Sequence, residues 1–275
     1  MGVVGSVLGW GPVPLVVPLV YPGRLVDRGV VLDGERVRGW AGDVGRVVEG
    51  CGGAPLRERV PVLGVGSNGA PAQLAYKFAR GGVSGVVPMV PVRVAGLGVG
   101  VSGHIGGAGY VPAAPYPLPG GASSMVLSWL DTRQLAVVDA SERHNYERVL
   151  LDPGVFPVSE GTEAFPAPSG GVHVYATVRG VLARPPYVGQ PRVAGPQPAL
   201  LRELLRGSGA LRDLLGADPA SWVRRAAARE EVRERARALF REEGWVLDGA
   251  GPDAYRVDAR GPEGQGSPVD RAREG

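Results

Sequence analysis

Cysteine occurs once, lysine once and histidine three times in this 275-residue chain, and aromatic residues make up only 6% of it. The lone Cys51 excludes an intramolecular disulfide and a cysteine metal cluster. Within Glu49-Gly-Cys-Gly-Gly-Ala-Pro-Leu56 it reads as a small loop residue rather than a nucleophile. Residues 59–130 contain no Asp or Glu, and the first 23 residues carry no charged side chain. That uncharged start is apolar, but Pro12, Pro14 and Pro18 interrupt it. Proline removes backbone donors and breaks the helix that a membrane span needs. No basic segment precedes it and no small-residue cleavage site is clear, so a secretory leader is not indicated. The chain is expected in the cytoplasm, away from membranes, with its N-terminus laid against its own core.

Hydrophobic residues amount to 44%, enough for a sizeable core, while Gly 45 and Pro 26 favour many short elements joined by turns. Arginine supplies every one of the 30 basic residues except Lys77, against 27 acidic ones. The net charge of +3 gives no electrostatic case for nucleic acid. The Arg, Gly, Ala, Val and Pro richness follows a GC-rich coding bias, which lowers what any single Arg or Gly signals.

Residues 1–58 alternate short Val/Leu runs with glycine turns and read as a β-rich extension packed on the core. Val30-Val-Leu-Asp-Gly-Glu-Arg-Val37 has the form of a hairpin turning at Asp33-Gly34. Residues 59–185 hold further strands. In residues 172–179, Val172, Val174, Ala176 and Val178 alternate with His173, Tyr175, Thr177 and Arg179, the period of a half-buried strand. A loop is expected at 165–171 and a linker at 183–198. Residues 186–247 form a helical extension. Two short helices break at Gly207-Ser208-Gly209, and a longer one starts at the Asp218-Pro219 cap and runs to Gly244. Residues 248–275, rich in Gly, Pro and charge, read as a disordered tail.

Val62-Leu-Gly-Val-Gly-Ser-Asn-Gly69 carries Gly64-x-Gly66-x-x-Gly69 between a strand-like and a helix-like run. A dinucleotide site also needs an acidic residue about 20 positions on, to hold the ribose. None exists before Asp131, and the second match, Gly98-x-Gly100-x-x-Gly103, fails in the same way. Ser67 and Ser102 each satisfy only half of a nucleophile-elbow pattern. What remains is a strand entering Gly-Ser-Asn and then a helix, a turn whose amides suit a carboxylate or a developing oxyanion. Downstream, residues 126–130 read as a strand and 131–142 as a short helix capped by Asp131 or Thr132, with Leu135 and Val138 facing inward. Asp139-x-x-Glu142 ends the helix and Tyr146-x-Arg148 enters a strand.

In this order and spacing, Gly66-Ser67-Asn68, Asp139-Ala-Ser-Glu142 and Tyr146-x-Arg148 resemble the γ-glutamylcyclotransferase-like family over about residues 60–182. The resemblance implies an α+β fold: a small mixed β-barrel with flanking helices. It also implies an enzyme, needing no cofactor or metal, that acts on a small molecule with a γ-glutamyl or similar carboxylate group. The substrate's α-amine attacks its own γ-carbonyl, releasing 5-oxoproline and an amine. Glu142 would be the catalytic base, its pKa raised by partial burial beside Leu135, Val137 and Val138. The amides of Val65, Gly66, Ser67 and Asn68 would hold the carbonyl oxygen or the carboxylate. Val65 stands where the family has tyrosine.

His104 and Tyr110 lie in a glycine-rich segment and are candidates for the mouth of the barrel. Tyr146 and Arg148 complete the candidate binding set, Arg148 as a carboxylate clamp. The competing reading of Glu142 is an exposed helix-end carboxylate paired with Arg143 or Arg148. Lys77, on the helix after the loop, reads as a surface charge. His104 reads at least as readily as a satisfied loop or strand histidine, and His104, His144 and His173 show no metal-ligand spacing. The alternative function is a non-catalytic module, binding a small carboxylate or a partner protein that the sequence does not identify.

Overall fold

The hairpin forms as its sequence requires. Val30–Asp33 (β1) and Arg36–Gly39 (β2) pair around Gly34, whose φ of +61° is one that side-chain-bearing residues rarely adopt. The elements belong to a computed structural model that describes residues 9–40, 42–160, 165, 168, 170–184 and 187–256. The rest of the described part of residues 1–58 is less β-rich than expected. Val44–Gly50 is a helix (α1) in which Asp43 caps the start and Val44 and Val48, one turn apart, are both buried. Pro18–Val20 is a single 3-10 turn.

Val60–Gly64 (β3) leads through the Gly-Ser-Asn turn into Pro71–Gly81 (α2), which has proline in its first turn and closes at Gly82 with φ +63°. Two long strands follow, Val87–Val101 (β4) and Ala113–Leu130 (β5). Thr132–Glu142 (α3) starts from a capping box of Asp131 and Gln134. Tyr146–Leu151 (β6), Val158–Glu160 (β7), Val172–Thr177 (β8), Val181–Arg184 (β9) and Tyr187–Pro191 (β10) come next. The expected linker at 183–198 therefore contains β10, paired antiparallel with β9. Of the loop expected at 165–171, most lies outside the described residues.

The large sheet has the order β2-β1-β4-β5-β3-β8-β6, with β7 added alongside β4. Only β3 and β8 pair in parallel. The pairing path is open: among the described residues no ladder joins β2 to β6. The fold is α+β, and residues 30–39 belong to the same sheet as the strands from Val60 onward. The β4–β5 ribbon breaks its register at Gly96 (φ +73°), where residues 118–121 bulge out of the ladder. The ribbon then turns back over the sheet. Val126 lies against Gly69, yet Ala113, thirteen residues earlier on the same strand, lies against Gly66.

One sheet face packs under α2 and α3 through Leu74, Phe78, Leu135 and Val138. The other holds a core made by β3, β4, β5, β6 and β8 facing one another, with Phe156, Phe165 and Tyr255 as plugs. In β8 the alternation holds for Val172, Val174 and Ala176, but Tyr175 and Thr177 are buried as well. Tyr175 belongs to the core under α2 and α3, while Val172, Val174 and Ala176 face the other core, so both faces of the strand are covered.

Gln197–Gly207 (α4), Gly209–Leu215 (α5), Pro219–Ala228 (α6) and Glu230–Glu242 (α7) enclose a separate core around Trp222 and Phe240, to which Val101, Val111 and Leu182 contribute. The Ser208 break and the Asp218 cap are as read from sequence. The single helix expected from Asp218 to Gly244 is instead two, parted at Arg229 in extended conformation. Trp222 and Ala226 share a face, but Val232 lies six residues beyond Ala226, roughly 240° around a continuous helix. A break is needed to bury both halves. No helix among the described residues is long and apolar enough to cross a membrane.

Residues 248–256, expected to belong to a disordered tail, are instead part of the described structure. Val246–Leu247 (β11) pairs with β9, and Pro252–Tyr255 forms a 3-10 turn that buries Tyr255 against Phe156 at 6.1 Å between ring centroids. Residues 257–275 lie outside the described residues. Tyr255→Ala is expected to cost about 3 kcal/mol in urea unfolding. A change close to zero would show that this segment contributes nothing to the core.

Candidate active site

The parallel strands β3 and β8 end at the same margin of the sheet where the antiparallel strands β5 and β6 begin. The crevice beyond the carboxyl ends of such strands is a common place for ligands. Here β3 runs out at Gly64 and folds tightly: a Cβ on Gly64 would stand 2.5 Å from the Gly69 nitrogen, so no larger residue fits. The turn delivers Val65, Gly66, Ser67 and Asn68 to one side of a cavity of about 60 Å³. Glu142 at the end of α3, Tyr146 at the start of β6 and Tyr110 before β5 line the same cavity. Seven of the nine sequence-derived candidates are thus brought together.

Glu142 Oε1 is held from several directions. It accepts from Lys77 Nζ at 2.9 Å and Asn68 Nδ2 at 3.0 Å, with Ser141 Oγ at 3.3 Å. Lys77 Nζ also donates to Asn68 Oδ1 and to Ser141 Oγ, both at 2.7 Å. Oε2 has no hydrogen-bond partner among the described residues, although Glu142 lines the cavity. The carboxylate is therefore neither exposed nor paired with Arg143 or Arg148. Its expected pKa shift is also reversed. Burial works to raise it, but the Lys77 charge and the bonds from Lys77, Asn68 and Ser141 outweigh that effect and hold it below the ordinary glutamate value.

Lys77 is not a surface charge: its side chain is 8% exposed. It lies one turn from Leu74 on the face of α2 that is buried, beside Phe78. The signal in the sequence was its singularity. Every other basic residue is Arg, so a lone Lys marks a place where a compact three-donor ammonium fits and a planar guanidinium does not.

Two further cavity residues were not read from sequence. Tyr21 comes from the uncharged N-terminal stretch, and its hydroxyl occupies the space that a Gly66 side chain would fill. Tyr21 Oη accepts from Ala113 N at 2.7 Å, with the backbone of Ser67 a second partner. The loop amides were expected to meet a ligand directly; the Tyr21 phenol stands over them instead. Tyr175 donates to Asp139 Oδ1 at 2.7 Å. Tyr110 stacks on Tyr21 at 4.3 Å and bonds the Ser67 side chain, and Tyr146 donates to the Ala113 carbonyl at 2.8 Å. Burial raises the pKa of all four phenols, so each stays protonated and able to donate at neutral pH.

The remaining two candidates lie elsewhere. Arg148 is not a substrate clamp; it pairs with Asp139 at 2.9 Å and thereby fixes the acceptor of Tyr175. His104 does not line the cavity. It is buried behind Tyr146, edge-on at 5.6 Å, with Nδ1 at 2.8 Å from Ser102 Oγ, which in turn meets Thr177 Oγ1 at 2.7 Å. Burial, with Arg179 and Arg237 nearby, pushes the His104 pKa down to about 3. No protein-family model, curated protein or solved structure matches this chain.

Lys77→Met leaves Glu142 a buried carboxylate without its cation. A loss of about 3–5 kcal/mol is expected, with the Glu142 pKa rising on NMR titration of the carboxyl carbon. Lys77→Arg keeps the charge but not the three short contacts, and partial loss is expected. Glu142 stabilises the fold above its unfolded-state pKa, and that contribution disappears as pH falls through the lower folded value. His104 acts at higher pH. Its folded pKa lies below the unfolded value of about 6.5, so the unfolded state takes up the proton first. Stability should fall by about 2 kcal/mol between pH 7.5 and 5 in urea titrations. His104→Asn should reduce that slope and leave the part due to His173, whose folded pKa is also lowered by burial and by Arg148; an unchanged slope would assign it to other groups.

Proposed function

We propose that the chain is a γ-glutamylcyclotransferase-like enzyme, releasing 5-oxoproline and an amine from a γ-glutamyl compound. The observation that carries this reading is the direct bond between Asn68 of the Gly-Ser-Asn turn and Glu142, seventy-four residues apart in sequence, at the edge of one cavity. The helix-free core between β3, β4, β5, β6 and β8, and the doubling back of the β4–β5 ribbon, support a barrel-like body of the kind the reading requires.

The chemistry follows from the residues present. Oε2 of an ionised Glu142 receives the substrate's α-ammonium. The bound ammonium first loses one proton to solvent, which the freed amine later takes back. The neutral amine then attacks the γ-carbonyl carbon, and the new N–C bond makes the attacking nitrogen acidic. That acidity lets a carboxylate of low pKa take the proton. The same proton passes to the departing nitrogen as the old C–N bond breaks, so no water or cofactor is consumed. The Tyr21 hydroxyl accepts from a backbone amide, which leaves its own proton for the carbonyl oxygen as negative charge develops there. Closure of a five-membered ring gains further from holding both ends of one molecule.

A second reading, a module that binds a small carboxylate without turnover, is favoured by one observation: Glu142 already has its cation and is held at low pKa, which weakens it as a base. A panel of γ-glutamyl amines and peptides, assayed for 5-oxoproline, separates the two. Turnover by the wild type is expected, with losses of about 10²–10⁴-fold in Glu142→Gln and about 100-fold in Tyr21→Phe, each checked for folding by its melting curve. Full activity in Glu142→Gln refutes the assigned base. Ligand-induced stabilisation with no product from any substrate favours the binding module.

A further inference from the structure

A second cavity of about 210 Å³ adjoins the first and shares Tyr21, Val65 and Ala113 with it. Its character differs. None of its lining residues is charged, and its walls are chiefly Leu25, Val99, Val101, Val111 and Leu200. Its buried side-chain amide, Gln197, is held by Val111: Oε1 accepts from the amide at 3.0 Å and Nε2 donates to the carbonyl at 2.7 Å. Ser124 is exposed, and the hydroxyl of Tyr21, which lines both cavities, lies against Gly66 and the Ala113 amide. An occupant therefore meets mainly hydrocarbon and finds no charged partner, so that burying a charge here would be costly. An apolar cavity of about 150 Å³ holds benzene, so this one accommodates a phenyl- or branched-alkyl-sized group.

The cavity is also assembled from parts outside the sheet. Tyr21, Pro22 and Leu25 come from the N-terminal stretch, and Gln197 and Leu200 from α4. These segments close over the β4–β5 ribbon where it turns back toward Gly66. That placement gives the two terminal segments a common task beside the polar cavity.

We propose that this cavity is the subsite for an uncharged, apolar side group of the ligand whose polar head sits against Glu142. Resting on the cyclotransferase reading, that group is the substituent of the departing amine, so the substrate class is a γ-glutamyl amide of an aromatic or branched aliphatic amine. A lysine-like or other charged leaving amine is excluded, because its charge would be buried without a partner.

Two measurements test this. The first compares γ-glutamyl benzylamide with γ-glutamyl methylamide and with an aminoalkyl amide of similar length. In the wild type, kcat/KM is expected to favour the benzylamide by about ten-fold or more over each. Leu200→Phe, which narrows the cavity, should lower the benzylamide-to-methylamide ratio, and Leu200→Ala, which widens it, should move the preference toward a bulkier amine. Opposite movements of a ratio do not arise from simple destabilisation. The second measurement is the melting shift of the wild type with toluene, where stabilisation that weakens in Leu200→Phe is expected. Toluene binding without turnover of any γ-glutamyl amide supports the apolar subsite and overturns the reaction. Turnover indifferent to the leaving amine, or no stabilisation by toluene, overturns the subsite and leaves the reaction standing.

Discussion

The contact on which the site depends is the Lys77–Asn68–Glu142 knot. It joins the turn after β3, the middle of α2 and the last residue of α3, and it does so at 2.7–3.0 Å in a largely buried position. A buried ion pair rarely adds much to stability over a well-packed apolar alternative, because both charges lose their hydration. What it adds is geometry. Lys77 distributes its donors over Asn68, Ser141 and Glu142, and Asn68 returns one to Glu142. No one of these can rotate without leaving another unpartnered at depth. The knot therefore fixes one carboxylate oxygen and aims the other.

Around it the fold supplies neutral donors rather than charge. Glu142 is the one ionisable acid or base lining the polar cavity, apart from phenols that burial keeps protonated. Arginine, abundant elsewhere, is kept out of the lining: Arg148 is spent on Asp139, and Arg59 on the carbonyls of Ala54, Val86 and Trp129. A cavity with one carboxylate backed by one ammonium is close to neutral. It suits a head group that is itself a zwitterion better than a dianion, which would face Glu142 with no cation in front of it.

The sequence made local features legible where one residue type determines one geometry. Asp131 (one of the two caps open for α3), Asp218 with Pro219, Gly34 in its hairpin and Ser208 between α4 and α5 all stand where their side chains or φ angles predict. The convergence of Gly66–Asn68 with Glu142 was legible only through the family resemblance that their motifs carry; from the residues alone Glu142 read as an exposed helix-end carboxylate. Tyr21 was not, because nothing in an uncharged proline-broken stretch says which ring reaches a site built by residues more than forty positions away. The break at Arg229 was hidden by strong helix formers on both sides; only the slip in the buried stripe gave it away. His104 looked like a site residue because histidine in a glycine-rich loop is rare. Its burial behind Tyr146 depends on the fold-back of the β4–β5 ribbon, a non-local event without a local signature.

Lys77 shows what the reversed pKa of Glu142 means for chemistry. A carboxylate tuned upward would take a proton from an ammonium in the resting complex. One tuned downward remains ionised there and binds the ammonium as a partner. It can serve as base only once the attacking nitrogen has become acidic, that is, as the new bond forms. Proton transfer is then concerted with, or follows, bond formation, and the difficult step is stabilising the carbonyl oxygen. The neutral phenol of Tyr21, oriented by the Ala113 amide beside the Gly66 turn, is the group placed for that task. Under the proposed reaction the weight of catalysis thus falls on hydrogen-bond donation to the oxygen and on holding the two ends of the substrate together, with Glu142 as anchor first and proton carrier second.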